Sequence, residues 1–143
     1  MHSQLNREKL RSAILRIISR CPPQELGAVK LHKALYYADM IEFAACGRSL
    51  TGAEYRKRPF GPTCDEALPI IRELQSDGAL DVVDVPYYGY AKREFRLRAE
   101  PRFDQLSKSE LALLDDMADF VCREHTARAI SEISHDVSWQ MVE

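Results

Sequence analysis

The strongest constraint on the fold is a helical pattern of apolar residues from about Gly27 to Cys46. Spacings of three and four residues place these side chains on one helical face, which predicts a helix in the core. The stripe consists of Leu31, Ala34, Leu35, Ala38, Ile41 and Ala45. Cys21-Pro22-Pro23 separates this helix from the preceding one, and Gly47 is typical of a helix end. The residues that fall off the stripe are expected on the outer face: Lys30, Lys33, Tyr37 and Glu42.

Two helices flank the central one in the sequence. The first is predicted from about Arg7 to Arg20, where apolar residues recur at helical spacing before the prolines. The other begins near Thr63, with either Thr63 or Asp65 as its N-cap, and ends at Gly78. Pro69 falls inside it and would remove a helical hydrogen bond unless it lies in the first turn. The pattern does not decide between the two caps.

Two further helices are predicted in the last part of the chain. Ser107 and Glu110 stand at capping-box spacing, so a fourth helix is expected to begin there and to continue to about Glu124. A short fifth helix is predicted from about Thr126 to Ser134. Its apolar residues again recur at helical spacing.

Between the helices, the sequence predicts a short strand and a β-hairpin. The short strand covers about Ala53 to Lys57. Apolar and charged residues alternate over Leu80–Val85 and Ala91–Arg98, which predicts two paired strands joined by a tip at residues 86–90. Phe60 lies in a rigid Pro-Phe-Gly-Pro turn, and we expect its ring to insert into the core.

Length and composition agree with a single domain over residues 1–143. Apolar residues make up 45% and charged residues 29%, which are ordinary values for a globular protein and argue against extended disorder. The predicted fold class is therefore α+β and mainly helical. It has about five helices with a short strand and a β-hairpin, in an order like that of a winged helix.

The charge is close to balanced overall and uneven along the chain. The net charge of −2 argues against a protein that binds nucleic acid through its whole surface. Residues 48–62 and 92–102 are basic, whereas residues 104–124 are acidic. Such blocks are most often solvent-exposed faces of opposite sign.

The sequence carries no recognisable catalytic or metal-binding motif. Cys21, Cys46, Cys64 and Cys122 have neither CxxC spacing nor paired spacing, which argues against a zinc site and a disulfide framework. A thiol enzyme built on Cys64, with His32 or His135 as the base, is the one catalytic alternative. We therefore expect a binding protein without enzymatic activity, metal or cofactor. The sequence has no membrane span or secretory segment, so a cytoplasmic location is expected.

Four segments together resemble the Panacea domain, also called the SocA-like antitoxin domain. The first is KLHKALYYAD, in which Lys30, Leu31, Lys33, Leu35, Tyr36 and Ala38 match the family's typical helix. Gly47 and the Phe60-Gly61-Pro62 turn match the next block, LSKSELALLDD follows, and Ser134-His135 with Trp139 resembles the C-terminal block. The resemblance extends from about Arg7 to Val142. The departures are His32, Ala34 and Pro69.

The resemblance implies an antitoxin of a bacterial or phage toxin–antitoxin system. Members of this family bind and neutralise partner toxins of very different folds, so the implied partner is a cognate toxin protein. At least one relative is an adaptor that delivers its toxin to a protease, which makes a protease a second implied partner. The family is not known for catalysis.

Aromatic residues and arginines are the usual anchors of tight protein interfaces, and they define the candidate toxin-binding residues. Tyr87, Tyr88 and Tyr90 lie at the predicted hairpin tip, and Tyr55, Arg56 and Arg58 lie beside the Gly-Pro turn. Packing in the core is the alternative for the tyrosines, and simple solvation is the alternative for the arginines. Lys30, Lys33 and Tyr37 are a third candidate set.

DNA binding is the competing functional interpretation. The winged-helix-like order would make the basic hairpin strand a wing, with Lys57, Arg93, Arg96 and Arg98 contacting phosphates. The net charge and the acidic fourth helix weigh against this interpretation.

Overall fold

A computed structural model describes residues 4–124 of the chain. Its elements follow in the order α1 (Arg7–Arg20), α2 (Pro23–Cys46), β1 (Tyr55–Arg58), β2 (Gly61–Cys64), α3 (Ala67–Ser76), β3 (Leu80–Tyr87), β4 (Tyr90–Leu97) and α4 (Lys108–Asp119), with a π-helical segment at Phe120–Glu124. The fold is α+β, as predicted. The described part holds four α-helices, and the predicted fifth helix lies outside the described residues.

The strands form two separate antiparallel sheets of two strands each, β1–β2 and β3–β4. In a winged helix, the single strand between the helices joins the hairpin as a third strand. Here β1 pairs with β2 instead, because the turn at residues 59–60 folds the chain back on itself. The winged-helix-like order is therefore not confirmed. The second strand of this hairpin was missed, since Gly61-Pro62-Thr63-Cys64 has no alternating pattern.

The sequence signals for the bounds of α1 and for the end of α2 were accurate. Helix α1 has the predicted bounds, and the side chain of Asn6 caps it by accepting a hydrogen bond from the Lys9 amide at 3.0 Å. Helix α2 ends at Gly47, whose φ of +78° is the left-handed geometry expected there. Gly27, predicted as the start of α2, is instead a break after one turn, with φ +66° and ψ 171°.

Both proposed caps of α3 were wrong. Thr63 belongs to strand β2, and the residue that precedes the helix is Glu66, which makes no side-chain cap. The helix thus begins later than predicted, at Ala67. Pro69 is then its third residue and costs no helical hydrogen bond, because the first amides of a helix have no partner within it.

The β3–β4 hairpin is longer and its turn tighter than predicted. Tyr87 pairs with Tyr90 in the backbone register, so only two residues, Tyr88 and Gly89, make the turn. Their φ values of +45° and +86° fit the two-residue turn that matches the twist of the flanking strands. Residues 86–90 thus comprise three strand residues and a two-residue turn rather than a five-residue loop.

Helix α4 packs along α1 and is joined to it by ion pairs. The predicted capping box is present, with Ser107 Oγ accepting from the Glu110 amide at 3.1 Å and the Glu110 carboxylate accepting from the Ser107 amide at 2.8 Å. Arg16 forms a two-bond pair with Asp115 at 2.6 and 2.7 Å. Further pairs join Lys9 to Glu110 and Arg20 to Asp119. Much of the acidic block is therefore neutralised within the fold.

The core lies between α1, α2, α3 and α4, with Leu80 and Phe95 entering from the β3–β4 hairpin. Two residues of the predicted α2 stripe lie outside it: Ile41 is 45% exposed and Ala45 is also exposed, since α2 extends beyond the elements that cover it. Among residues 4–124, no helix is both long and apolar enough to cross a bilayer.

The segment before α1 closes over the loop that follows α2. The amide of Asn6 donates to the Thr51 carbonyl at 2.7 Å. Gly52 has φ +76°, and a Cβ added there would lie 2.2 Å from the Gln4 carbonyl oxygen. Glycine is thus required at position 52 for both backbone conformation and space.

Replacing Gly52 with alanine should destabilise the protein much more than replacing Gly47, which is a matched control. Gly47 has a similar φ of +78° but nothing within 4 Å of an added Cβ. Gly47→Ala should therefore cost about 1–2 kcal/mol from backbone strain alone, whereas Gly52→Ala adds a clash with backbone atoms. Urea unfolding of both variants measures the difference, and equal losses would contradict the close approach of Gln4.

Candidate partner-binding surface

Four polar residues of α2 face inward and hold the segment that carries β1 and β2. His32, Lys33, Tyr36 and Asp39 contact residues between Thr51 and Cys64. Lys33 is fully buried, so the expectation that it lies on the outer face was wrong. The sequence pattern misassigned it because a lysine is almost never fully buried unless it has a partner, and its partner lies 27 residues away.

Asp39 makes several of the hydrogen bonds that hold this segment on α2. Asp39 is 2% exposed, and its carboxylate accepts hydrogen bonds from the Thr51 amide at 2.8 Å, the Thr51 hydroxyl at 2.7 Å and the Tyr55 hydroxyl at 2.6 Å. Burial raises the pKa of the Asp39 carboxyl, and these hydrogen bonds oppose that rise. Burial also raises the pKa of Tyr55 well above 10, so its hydroxyl remains a donor. The loop after α2 is thereby fixed to the helix.

Lys33 fixes the turn between β1 and β2. Its ammonium donates to the Phe60 carbonyl at 2.5 Å, and burial lowers the pKa of Lys33 to about 8. The carbonyl of Phe60 thus occupies the inner side of the turn. The ring points outward and is 70% exposed, so the expectation that Phe60 inserts into the core was wrong.

Cys64 and His32 are hydrogen-bonded through the backbone amide of Cys64, and not through its thiol as a nucleophile and base would be. His32 Nδ1 accepts a hydrogen bond from the Cys64 amide at 3.1 Å, and burial lowers the pKa of His32 to about 4. The Cys64 thiol is fully buried in strand β2, and burial followed by the charge of Glu66 raises its pKa to about 12. A reactive thiolate needs a lowered pKa and access, and this thiol has neither. His135, the other proposed base, lies outside the described residues, as do Ser134 and Trp139.

The candidates on the β1–β2 hairpin differ in their surroundings. Tyr55 is half-buried, with its hydroxyl on Asp39 and its ring edge-on to Tyr36 at a centroid distance of 5.2 Å. Arg56 and Arg58 are exposed and share one carboxylate, Asp65, at 2.6 and 3.2 Å. Tyr55 therefore supports the hairpin from within, and the two arginines present charge at its surface.

The tyrosines of the β3–β4 hairpin are the more exposed aromatic candidates. Tyr88 is 88% exposed and Tyr90 is 62% exposed. The side chain of Tyr87 lies outside the described part of the structure. The hairpin is fixed to the start of α2, where Lys92 donates to the Gln24 carbonyl. Both hairpins thus rest on α2, but in separate sheets.

The basic residues assigned to DNA binding lie beside acidic ones. Arg93 pairs with Asp84 and Arg98 with Asp81, each at 3.6 Å, and Arg96 pairs with Glu94 at 2.8 Å. Lys57 lies on the other hairpin and is exposed. The structure does not bring these four residues into one continuous basic strip.

In the third candidate set, Lys30 and Tyr37 also make contacts within the fold. Lys30 donates to the Glu25 carbonyl at 2.9 Å, and the Tyr37 ring packs edge-on to Phe120 at 5.8 Å. With Lys33 buried, none of these three side chains is placed as an outward anchor. The exposed aromatic residue that the sequence analysis missed is Phe60; its position in a tight turn was the available signal.

The buried ammonium of Lys33 should make stability depend on pH in a defined window. Because its pKa falls from 10.5 to about 8 on folding, the unfolded chain binds more protons between these values and Lys33 favours folding as pH rises. Relative to Lys33→Met, the wild type should gain about 2 kcal/mol in unfolding free energy between pH 8 and pH 10.

Urea unfolding of both proteins at several pH values measures this gain. The comparison is needed because the raised pKa of Cys64 acts in the opposite direction, equally in both proteins. A constant difference between the two proteins from pH 8 to pH 10 would show that folding does not lower the pKa of Lys33.

Comparison with known proteins identifies the family. The family model described as antitoxin SocA-like, Panacea domain, matches residues 31–140, which is most of the chain. Searches of curated proteins and of solved structures gave no match. The matched region begins within α2 and contains both hairpins, α3 and α4. The chain therefore belongs to the SocA-like antitoxin family with a Panacea domain.

Proposed function

We propose that this chain is an antitoxin that binds and neutralises a partner toxin by protein–protein contact. The family match over residues 31–140 carries the proposal. The family indicates a toxin partner in general terms, and the proposal adds that neutralisation works through the surface described above. The chain acts by binding and catalyses no reaction.

The end of the β3–β4 hairpin is the proposed contact. Tyr88 and Tyr90 present large aromatic surfaces with few rotatable bonds, and such residues contribute most of the affinity at protein interfaces. A two-residue turn and the pairing of Tyr87 with Tyr90 limit the movement of the hairpin end. Binding to a preorganised hairpin costs less conformational entropy than binding to a flexible loop.

The chemistry of the buried groups supports a function without catalysis. The Cys64 thiol keeps its proton at neutral pH, because its pKa is raised to about 12, and it has no exposed surface. Within residues 4–124, no three histidine, cysteine or acidic side chains are grouped as metal ligands would be. Lys33, the buried amine, is committed to the Phe60 carbonyl.

Protein contact is also favoured over DNA contact at the same hairpin. Phosphate binding requires cations that dominate the local potential. Arg93, Arg96 and Arg98 each have a carboxylate within 3.6 Å, which lowers the local positive potential. Paired charges of this kind can form the polar rim of a protein interface.

The proposal predicts that removing the two tyrosine rings abolishes neutralisation without unfolding the protein. The double variant Tyr88→Asn and Tyr90→Thr is suited to this test, since asparagine tolerates the left-handed backbone at position 88 and threonine favours a strand. Loss of two aromatic anchors should weaken toxin binding by about 2–4 kcal/mol. The readout is growth when the chain is co-expressed with the product of the adjacent open reading frame.

Ile41→Ala is the matched control, because Ile41 is an exposed apolar residue on α2, away from the hairpin end. It should rescue growth as the wild type does. Rescue by the double variant would remove the tyrosines from the interface, and failure of the wild type to rescue would contradict the antitoxin function. Repeating the assay in a strain that lacks its ATP-dependent proteases separates direct inhibition from delivery to a protease.

A further inference from the structure

The ring of Phe60 is exposed at the turn of the β1–β2 hairpin. It is 70% exposed, more than Ile41 or Leu68, the exposed aliphatic residues on the helices. Isolated apolar side chains on a surface need no explanation of their own. What distinguishes Phe60 is that buried groups fix the backbone on which it stands.

The first of these groups is Lys33. A fully buried ammonium is unfavourable, since the charge loses its hydration and gains few partners. Its hydrogen bond to the Phe60 carbonyl holds the turn against α2. The fold therefore accepts a destabilising group at a position that orients this turn.

The second is Gly61. Its φ is +112°, and a Cβ added there would lie 1.1 Å from Lys33 Nζ. No other residue fits this backbone beside the ammonium. The Lys33 hydrogen bond and the backbone geometry at Gly61 together hold the turn backbone in place, so the Phe60 side chain leaves it on the outer side before any partner binds. An anchor fixed in this way loses little entropy on binding.

The surroundings of the ring are basic. Arg56, Lys57 and Arg58 precede it on β1 and are exposed, and Asp65 is the carboxylate that pairs with the two arginines. Arg56 and Arg58 together carry two positive charges against the single negative charge of Asp65, which leaves this end of the hairpin positive. A partner that covers it must bring acidic groups around an apolar centre.

We propose that Phe60 is an anchor that inserts into an apolar pocket on the partner toxin, with acidic toxin side chains around the pocket facing Arg56 and Arg58. This inference rests on the proposed antitoxin function and adds a contact on the second hairpin. It also assigns Lys33 a role as the residue that positions the anchor. RNA is the other ligand that aromatic and basic groups bind together. The net charge of −2 makes RNA the less suitable occupant, because the protein as a whole repels a polyanion.

The test compares Phe60→Ala, Phe60→Leu and Ile41→Ala with the wild type. Isothermal titration with the purified product of the adjacent open reading frame gives the affinity, and thermal unfolding gives the stability. Phe60→Ala should weaken binding at least tenfold and leave the melting temperature unchanged, because the ring is exposed. Phe60→Leu, which keeps an apolar group, should lose less, and Ile41→Ala should bind as the wild type does.

The possible outcomes separate the two proposals. If the wild type binds and Phe60→Ala binds equally well, Phe60 is not an anchor, whereas the antitoxin function stands. If the wild type neither binds this protein nor protects cells from it, both proposals fall. If single-stranded RNA competes with the protein for the wild type and not for Phe60→Ala, the turn is an RNA site and the toxin contact is overturned.

Discussion

The fold depends on the burial of polar groups along one face of α2. Asp39 is hydrogen-bonded to the loop after the helix, Lys33 to the β1–β2 turn, and His32 to strand β2. Such groups are unfavourable in an apolar core unless each has a partner, so the segment from residue 51 to 64 must take one path over the helix. The position of the hairpin follows from this requirement more than from its own short strands.

Features that depend on local interactions could be predicted from the sequence. The bounds of α1, the end of α2 at Gly47 and the capping box of α4 at Ser107 each rest on residues within four positions of one another. Strand β2 could not be predicted, since its identity depends on pairing with β1 and not on its own pattern. The cap proposed at Thr63 failed for the same reason, because Thr63 belongs to that strand.

The sequence indicates which residue types occur at the two turns, but not which of their side chains face the solvent. The sequence analysis selected aromatic and basic residues at two turns, and the structure shows that Tyr88 and Tyr90 among them are exposed. Whether a side chain at a turn faces inward depends on which backbone group meets the helix. Lys33 takes the inner position beside Phe60 and reverses the expected arrangement of both residues.

The pairing of α1 with α4 has a consequence for synthesis of the chain. Arg16 and Asp115 are separated by 99 residues in the sequence. At roughly 5–20 residues per second, a ribosome needs about 5–20 s to make the intervening segment. For that time, the side of α1 that α4 later covers is open to water and to other nascent chains. A molecular chaperone that binds apolar helices could bind this face of α1 during that time. The core can close only after α4 has left the ribosome.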